Sequence, residues 1–453
     1  MQKLISKYGL AAHLALVAVA PLFLSSAAVL YLTLLGAVWL VMEPSRIGDE
    51  TLHEARGRVA LAIFHDPVFW VLLALSLGAL IAVVNTGVGA AYQVETASWV
   101  IAPAAFPLLP SSVEGAALPL LSTFLAALVV TEGARHALGR AARSAFTLVA
   151  SCLSGVGALV WGVLAKEGVA RALALTACPV SDPVFMGGAF GIFLSVAVIA
   201  LASAFEFGWF KVIPLAIVAV TGNAFGLFMF APSPFVVLYA SIAFLLLVYA
   251  ILYLHFQGGR HYEAGVFVLV AFAVAAAALA VIGLLPANLA GARAEEITTG
   301  AFVPANYAET RTVLSDVAAR AWKERPWLGF GEGSFDLCLQ FYATDDDWRV
   351  LTPLQKAVPN GYWTILLEGG VIRAFLLAAL FALLLVSYVV RLAKGVRRAL
   401  PHPLSWIGLL AFLAVVAETL VDSSISLPGL FVALVAVFSL SAMAFPKEMK
   451  SHV

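Results

Sequence analysis

Charge and cysteine are what this 453-residue chain has least of. Only 11% of its residues are charged, and its 26 basic and 26 acidic residues leave no net charge. A soluble domain carries about 25% charged residues. The balance therefore gives no sign of nucleic-acid binding. Three cysteines are too few for a disulfide framework, and no CxxC or Cys/His spacing predicts a zinc site.

What the chain has in place of charge is apolar residues, at 62% with a mean hydropathy of +1.00. A hydrocarbon core of about 30 Å requires roughly 20 apolar residues per helix. The pattern predicts an all-α polytopic membrane protein with about twelve transmembrane helices. The first apolar run is interpreted as a retained helix and not a signal peptide, because a second run follows at once. The predicted spans are 10–25, 27–42, 67–86, 116–131, 144–165, 187–205, 211–231, 235–256, 264–286, 370–390, 404–421 and 427–445.

The basic residues predict an orientation. The intervals 43–66 and 132–143 hold three arginines each, and 391–398 holds a further basic cluster. Cytoplasmic loops carry the excess of Lys and Arg, so both termini are predicted to be cytoplasmic. The chain then divides into a bundle of about nine helices (1–286), a large loop on the opposite face (287–369) and about three C-terminal helices (370–453). No nucleotide sugar reaches that face, so chemistry in the loop would need a donor already activated on a lipid.

The loop itself is predicted to begin with a helix. Val313, Leu314, Val317 and Ala321 share one apolar face. Asn306 and Glu309 have the spacing of a capping box, Asp316 and Arg320 that of an i,i+4 pair, and Pro326 ends the helix. An amphipathic helix on the bilayer surface would explain this pattern equally well.

Glycines and acids follow that helix. Gly329, Gly331 and Gly333 alternate, which indicates a sharp turn or a close backbone approach to a ligand. The acidic run 345–347 contains Asp-x-Asp, a pattern that many glycosyltransferases use to hold a metal. We favour a solvated turn, because no His or Glu nearby completes a cation site.

Arg373 lies near the outer end of the tenth predicted span. A cation at that depth requires a partner or must reach the surface. Glu368, across the break at Gly369 and Gly370, is one possible partner. A structural ion pair and an anion-binding site both remain open. Asn360 fits the N-cap of the helix that carries Glu368.

The order of these motifs resembles the O-antigen ligase and polymerase superfamily. The resemblance covers about 305–375: an arginine, then Pro-Trp-Leu-Gly-Phe-Gly-x-Gly-Ser-Phe, then Asn-x-Tyr/Trp-x-x-Leu-Leu-Glu-x-Gly before a membrane helix. It implies a multi-pass glycosyltransferase of the bacterial inner membrane whose large loop is periplasmic. Such enzymes join a glycan on undecaprenyl pyrophosphate to an acceptor glycan or glycolipid, in an inverting reaction that requires no metal and no cofactor.

The resemblance also implies a site. Arg311 matches the arginine that opens the family's loop helix, and its guanidinium suits the diphosphate leaving group. We expect Arg311, Arg373 and Glu368 to be catalytic. The residues expected to bind substrate are Arg325, Lys356, Asn360, Gly329 and Gly331.

Three departures from the family pattern leave two accounts open. Pro359 replaces the His that precedes Asn360, Asn223 stands in a segment that usually ends in Ser-Arg-Gly, and Arg373 follows where the family has glycine. In the first account, Arg373 with Arg325 or Lys356 replaces the lost cations, and Glu368 or no residue at all serves as the base. In the second, catalysis is lost and the fold binds or moves a lipid-linked glycan.

Three functions follow from these accounts. The first is a transferase, more consistent with a polysaccharide polymerase than with a lipid A-core ligase because the ligase-associated His is absent; a chain-length regulator is a possible partner. The second is a lipid-linked-glycan flippase, and the third is a non-catalytic envelope-assembly scaffold. Against transport, the polar residues within the spans are interpreted as isolated helix-end or packing groups: Asn85, Glu132, Glu206 and Asn223.

Overall fold

The structure is a computed structural model and is mostly helical. It describes residues 2–22, 24–44, 51–93, 98–139, 142–143, 145–146, 149–150, 192, 194–199, 213–230, 236, 238–241, 307–351, 361–397, 403–419 and 428–442. Among these, three helices are long and apolar enough to cross a membrane, at Pro67–Val84, Ala117–Ala137 and Tyr362–Val390. Shorter apolar helices lie at Tyr8–Val19, Ser26–Met42 and Ile407–Ala417.

The described helices and strands are numbered in chain order. The first group is α1 Gln2–Val19, α2 Ser26–Met42, α3 Leu52–Phe64, α4 Pro67–Val84, β1 Gly89–Gln93, β2 Ser98–Ala102, α5 Ala117–Glu132 and α6 Ile213–Phe230. The second group is α7 Tyr307–Trp322, α8 Phe335–Tyr342, α9 Asp345–Val350, α10 Gly361–Arg397, α11 Pro403–Thr419 and α12 Pro428–Ala442.

Helix α5 lies at the centre of the described bundle. It packs against α4, α2 and α12. Phe124 of α5 meets Phe431 of α12 edge to face at 5.4 Å, and Tyr388 of α10 donates a hydrogen bond to the carbonyl of Phe438 in α12. Alanines along α5 let its neighbours approach closely, whereas the apolar side chains of α4 and α10 that face outward suit lipid.

Helix α4 is bounded by two polar caps. Asp66 accepts a hydrogen bond from the Val68 N–H at its start, where Pro67 occupies the first helical position. Asn85 ends the helix and binds the backbone of the following segment through Phe106 and Pro110. The helix length of 18 residues separates these caps by about 27 Å. We call them the Asp66 end and the Asn85 end.

A β-hairpin at the Asn85 end was not predicted. Strands β1 and β2 pair antiparallel, with Tyr92 opposite Trp99. The all-α prediction is wrong here, because a ten-residue pairing between two apolar helices is too short to show a clear period of two. Helix α3 was also not predicted; a capping box at Thr51 and Glu54 starts it.

In the described part of the predicted loop, helices α7 and α8 pack together and against α10. The face of α7 predicted from the sequence is confirmed: Leu314, Val317 and Ala321 are buried and Val313 is partly buried. These residues pack on α8 and α10 through Phe335 and Leu367. The apolar face of α7 is therefore covered by protein and does not lie on the bilayer surface.

Helices near the predicted spans 10–25, 27–42, 67–86, 116–131, 211–231, 370–390, 404–421 and 427–445 are described. Helix α10 begins nine residues before its predicted span, because Tyr362 to Gly369 continue into it. The spans 144–165, 187–205, 235–256 and 264–286 fall largely or wholly outside the described residues.

Candidate functional site

The glycine-rich segment 326–334, here the glycine loop, lies against the break in α10. Gly370 interrupts that helix with φ 65° and ψ −173°. Backbone hydrogen bonds cross between the two segments over 2.8–3.2 Å: from the N–H groups of Phe330 and Gly331 to the carbonyls of Leu367 and Glu368, and from those of Val371 and Ile372 to the carbonyls of Pro326 and Trp327. The two sequence motifs, separated by about thirty residues, thus form one unit.

Glycine is required on both sides of this contact. A Cβ atom at Gly329 would meet the Glu368 carbonyl carbon at 2.7 Å and the Leu367 oxygen closer still. A Cβ at Gly370 would strike the backbone of Trp327 and Leu328. Both residues have positive φ, where any side chain is strained. The sequence left open a sharp turn or a close approach to a ligand; at Gly329 the close approach is to the backbone of α10.

A third segment completes the unit. The Glu332 N–H donates to the Ser111 carbonyl, and the Val113 N–H donates back to the Glu332 carbonyl, both over 2.9 Å. Ser112 in turn donates its hydroxyl to the Ala82 carbonyl near the end of α4. The glycine loop is therefore attached to the Asn85 end of the α4–α5 pair.

Arg373 forms an ion pair with Glu332. Its Nη1 atom donates to Oε2 of Glu332 over 2.5 Å, and the two side chains are 15% and 18% exposed. The side chain runs back over Gly369, where its Nε, Cδ and Cζ atoms occupy the space that a Cβ would fill. Of the two alternatives for Arg373, the structural ion pair is present, with Glu332 as the partner in place of Glu368.

Glu368 lies beneath the glycine loop with 6% of its surface exposed. Its carboxylate accepts hydrogen bonds from the backbone N–H groups of Gly333 and Phe335, and it lies close enough to Glu332 and Arg373 to interact with both charges. This geometry makes Glu368 a clamp for the loop. Catalysis by Glu368 stays a prediction.

Aromatic side chains surround the same unit. Trp327 is 69% exposed, and Tyr362 is exposed at the start of α10. The Arg325 guanidinium lies 5.1 Å from the centre of the Phe330 ring. Trp363 contacts both Tyr362 and Trp322 edge to face. Flat apolar rings thus lie beside fixed charges in this unit.

The acidic run forms the first turn of α9. Thr344 and Asp347 make a capping box, and Asp347 also pairs with Arg320 of α7. Burial would raise the pKa of Asp347, but hydrogen bonds from the Thr344 backbone and from Arg320 outweigh it and hold the pKa below its ordinary value. The predicted Asp316–Arg320 pair is thus replaced by Arg320–Asp347, because α9 returns to α7.

Not every predicted site residue joins this unit. Arg325, Gly329, Gly331, Glu368 and Arg373 do. Arg311 lies in α7, with its side chain outside the described residues; Lys356 and Asn360 lie outside them altogether, as do Asn306 and Pro359.

The sequence pattern did not reveal Glu332 as a functional candidate. Glu332 stands between two of the alternating glycines, and its position in a constrained loop was a signal that could have identified it. Burial of the Cys338 thiol among apolar side chains raises its pKa to about 12, which argues against a nucleophilic role for it.

A second charged group lies at the Asp66 end. Glu132 ends a helix as predicted, but it is not isolated: it lies near Asp66 and His136, and Arg135 binds Asp66. The sequence could not show the grouping, because Asp66 is 66 residues from Glu132. Asn85 is a helix-end residue as predicted, and Asn223 is buried within α6.

A scan against protein-family models found no match, and a search among curated proteins found none either.

Proposed function

We propose that this chain is a membrane glycosyltransferase that joins a glycan carried on undecaprenyl pyrophosphate to an acceptor sugar during surface-polysaccharide assembly. A polymerase fits better than a lipid A-core ligase, since the His expected before Asn360 is replaced by Pro359. The proposal includes about twelve spans in a bacterial inner membrane, with both termini cytoplasmic and the glycine loop periplasmic.

The observation that carries the proposal is the junction between the glycine loop and the broken helix α10. Two separated motifs meet through four backbone hydrogen bonds, and an Arg–Glu pair lies where they meet. Glycines that admit only backbone contact hold the pair in place. A fixed cation beside exposed aromatic rings, at the end of apolar helices, is what a lipid diphosphate with attached sugar requires.

The chemistry assigns a role to each group. The acceptor hydroxyl oxygen forms a bond to the anomeric carbon of the donor, from the face opposite the leaving group. The bond from that carbon to the diphosphate oxygen breaks, and the lipid diphosphate leaves with the electron pair. Arg373 and Arg311 stabilise its charge. The hydroxyl proton passes to the Oε1 atom of Glu332, whose Oε2 holds Arg373.

The test is transfer in proteoliposomes. The purified protein is supplied with an undecaprenyl-pyrophosphate-linked oligosaccharide, which is extracted from cells that lack this protein. The products are sized on a gel. We expect elongation with the wild type, and at least about a 100-fold loss for Arg373→Ala, Arg311→Ala and Glu332→Gln. Arg349→Ala is the control, because that side chain is 80% exposed and pairs only with Asp346 among the described residues.

Insertion of every variant is checked by membrane fractionation. Normal product length with both Arg311→Ala and Arg373→Ala would refute the site. Glu368→Gln tests whether Glu368 is the base in place of Glu332: a base would lose turnover at unchanged stability, whereas a clamp for the glycine loop would lose both turnover and stability.

A flippase is the second candidate, and the charged group at the Asp66 end favours it. Asp66 and Glu132 are buried ionisable residues at one end of the helices proposed to cross the membrane, and such residues commonly mark transport pathways. In the same proteoliposomes, movement of labelled lipid-linked sugar between leaflets without any joined product would support the flippase. A non-catalytic scaffold would show neither activity, and all the arginine substitutions would leave surface glycan unchanged.

A further inference from the structure

We propose that Asp66, Glu132 and His136 form a binding site for a divalent transition-metal ion at the end of the bundle opposite the glycine loop. One ligand atom from each residue lies within 4.8 Å of the other two. This site is independent of the proposed transferase function. The sequence predicted no metal site, because its three ligands come from two helices.

The three residues are held by the helix ends that carry them. Asp66 caps α4, and its Oδ1 atom accepts the Val68 N–H. Glu132 is the last residue of α5, and a π-helical turn at Gly133–Ala137 carries His136. Such turns are rare, and those that occur often lie at functional sites. Gly133 lets the turn fit between Leu14 and Leu40, whose side chains would touch a Cβ there.

The hydrogen bonds leave one charge unsatisfied. The His136 Nε2 atom lies 2.8 Å from Oδ2 of Asp66 and 3.4 Å from Oε2 of Glu132. A single proton on Nε2 serves only one carboxylate, and the shorter distance assigns it to Asp66. Glu132 is only 3% exposed, and neither of its oxygens has a hydrogen-bond partner in the part of the chain that the structure describes.

Burying a carboxylate that accepts no hydrogen bond costs free energy. A metal ion removes the problem, because one ion can contact Nε2 and both carboxylates together. Ligand atoms bound at about 2.0 Å in a tetrahedron are about 3.3 Å apart. The distance from Glu132 to His136 already matches that spacing, and the distance from Asp66 to His136 would have to lengthen by about half an ångström.

The donor set indicates which ions fit. One imidazole nitrogen with two carboxylate oxygens suits zinc, iron or manganese better than calcium or magnesium, which prefer oxygen alone. Arg135 opposes the ion, since its Nη2 atom lies 2.9 Å from the same Asp66 oxygen. That oxygen has two lone pairs, so it can accept from Arg135 and bind an ion at once.

Zinc binding to the full-length chain tests the proposal. The protein is purified in detergent with a tag that contains no histidine, loaded with Zn²⁺ and desalted. We expect about one zinc ion per chain for the wild type and less than about one tenth for Glu132→Gln and His136→Gln. His53→Gln is the matched control, because His53 is exposed on the neighbouring helix α3, and it should keep its zinc.

Two further measurements make the result independent of folding. Co²⁺ in place of Zn²⁺ should give visible absorption bands in the wild type and in His53→Gln only. Added Zn²⁺ should raise the Tm of the wild type and not that of Glu132→Gln. Absence of bound zinc in the wild type, or equal zinc in all variants, would overturn the proposal. So would an infrared band of a protonated carboxyl group that disappears in Glu132→Gln, since a proton would then supply the missing charge.

Discussion

Arg373 reaches Glu332 because residue 369 has no side chain. The arginine folds back along its own helix, and its Nε, Cδ and Cζ atoms fill the space above the Gly369 Cα. Long side chains in helices do point toward the preceding turn, so this path is the ordinary one once the obstacle is absent. Gly369 and Arg373 therefore act together: the absence of a side chain at residue 369 allows the arginine to reach its position beside Glu332.

Gly369→Ala is expected to disrupt this arrangement. The added methyl group displaces the Arg373 side chain from Glu332, and misplacement of a catalytic group by about 1 Å can cost about 100-fold in rate. We expect a loss of that size in the transfer assay together with a lower Tm. Gly78→Ala, in α4, is the control: nothing lies within 4 Å of its Cβ position, so the methyl group is accommodated. Unchanged turnover in Gly369→Ala would show that the position of Arg373 does not matter.

The sequence indicated Arg373 as a residue that needs a partner, but it could not identify the partner. Glu368 was close along the chain, whereas Glu332 is 41 residues away and reaches Arg373 only through backbone pairing of the glycine loop. Contacts at such separations depend on how two segments dock. The spacing of residues within one segment does not show how that segment docks on another.

At the scale of elements, α9 is held to α7 by one carboxylate. Asp347 closes its own capping box and accepts a charged hydrogen bond from Arg320. The helix has six residues, too few to be stable without such support. Asp347 is thus the residue on which the position of α9 depends.

The pH dependence of this contact has a definite sign. The pKa of Asp347 is lowered in the folded state, so its stabilisation is fully present above its unfolded value of about 4 and is lost as pH falls through the folded pKa. We expect Asp347→Asn to lower stability by about 1 kcal/mol at neutral pH. The difference in Tm from the wild type should shrink below about pH 4.

Asp346→Asn serves as the comparison, because its pair with Arg349 is exposed on both sides and should contribute little at any pH. A Tm difference for Asp347→Asn that persists unchanged at the lowest pH would mean that the charge of Asp347 is not what stabilises α9.

Helices whose apolar residues recur with a clear helical period, or form a long apolar run, were predictable from the sequence. The apolar face of α7 and the long apolar helices α4 and α10 follow from spacing and length alone. The β-hairpin and the π-helical turn after α5 do not, because each has only five residues per segment and depends on its neighbours. The Asp66–Glu132–His136 site belongs to this second group, and of its three residues only Glu132 was singled out from the sequence, as an isolated polar position.

At the scale of the whole molecule, the two charged groups lie at opposite ends of the α4–α5 pair. Glu332 and Arg373 connect to the Asn85 end through Ser111, whereas Asp66 and Glu132 lie at the other end. A separation of about 27 Å along α4 is close to the thickness of a hydrocarbon core. If α4 and α5 cross the membrane, the two sites face different compartments.

Labelling of introduced cysteines from outside the cell tests this arrangement. In a background with its three native cysteines replaced, Glu114→Cys lies near the glycine loop and His53→Cys lies at the Asp66 end, and both positions are exposed. An impermeant maleimide applied to spheroplasts should label the Glu114→Cys protein at once, and the His53→Cys protein only after the membrane is opened. The Lys and Arg residues concentrated around 43–66 and 132–143 give the physical reason, because they are retained on the cytoplasmic side. Labelling of both proteins in sealed spheroplasts would mean that α4 does not separate the two ends. The loop chemistry would then no longer be restricted to donors activated on a lipid.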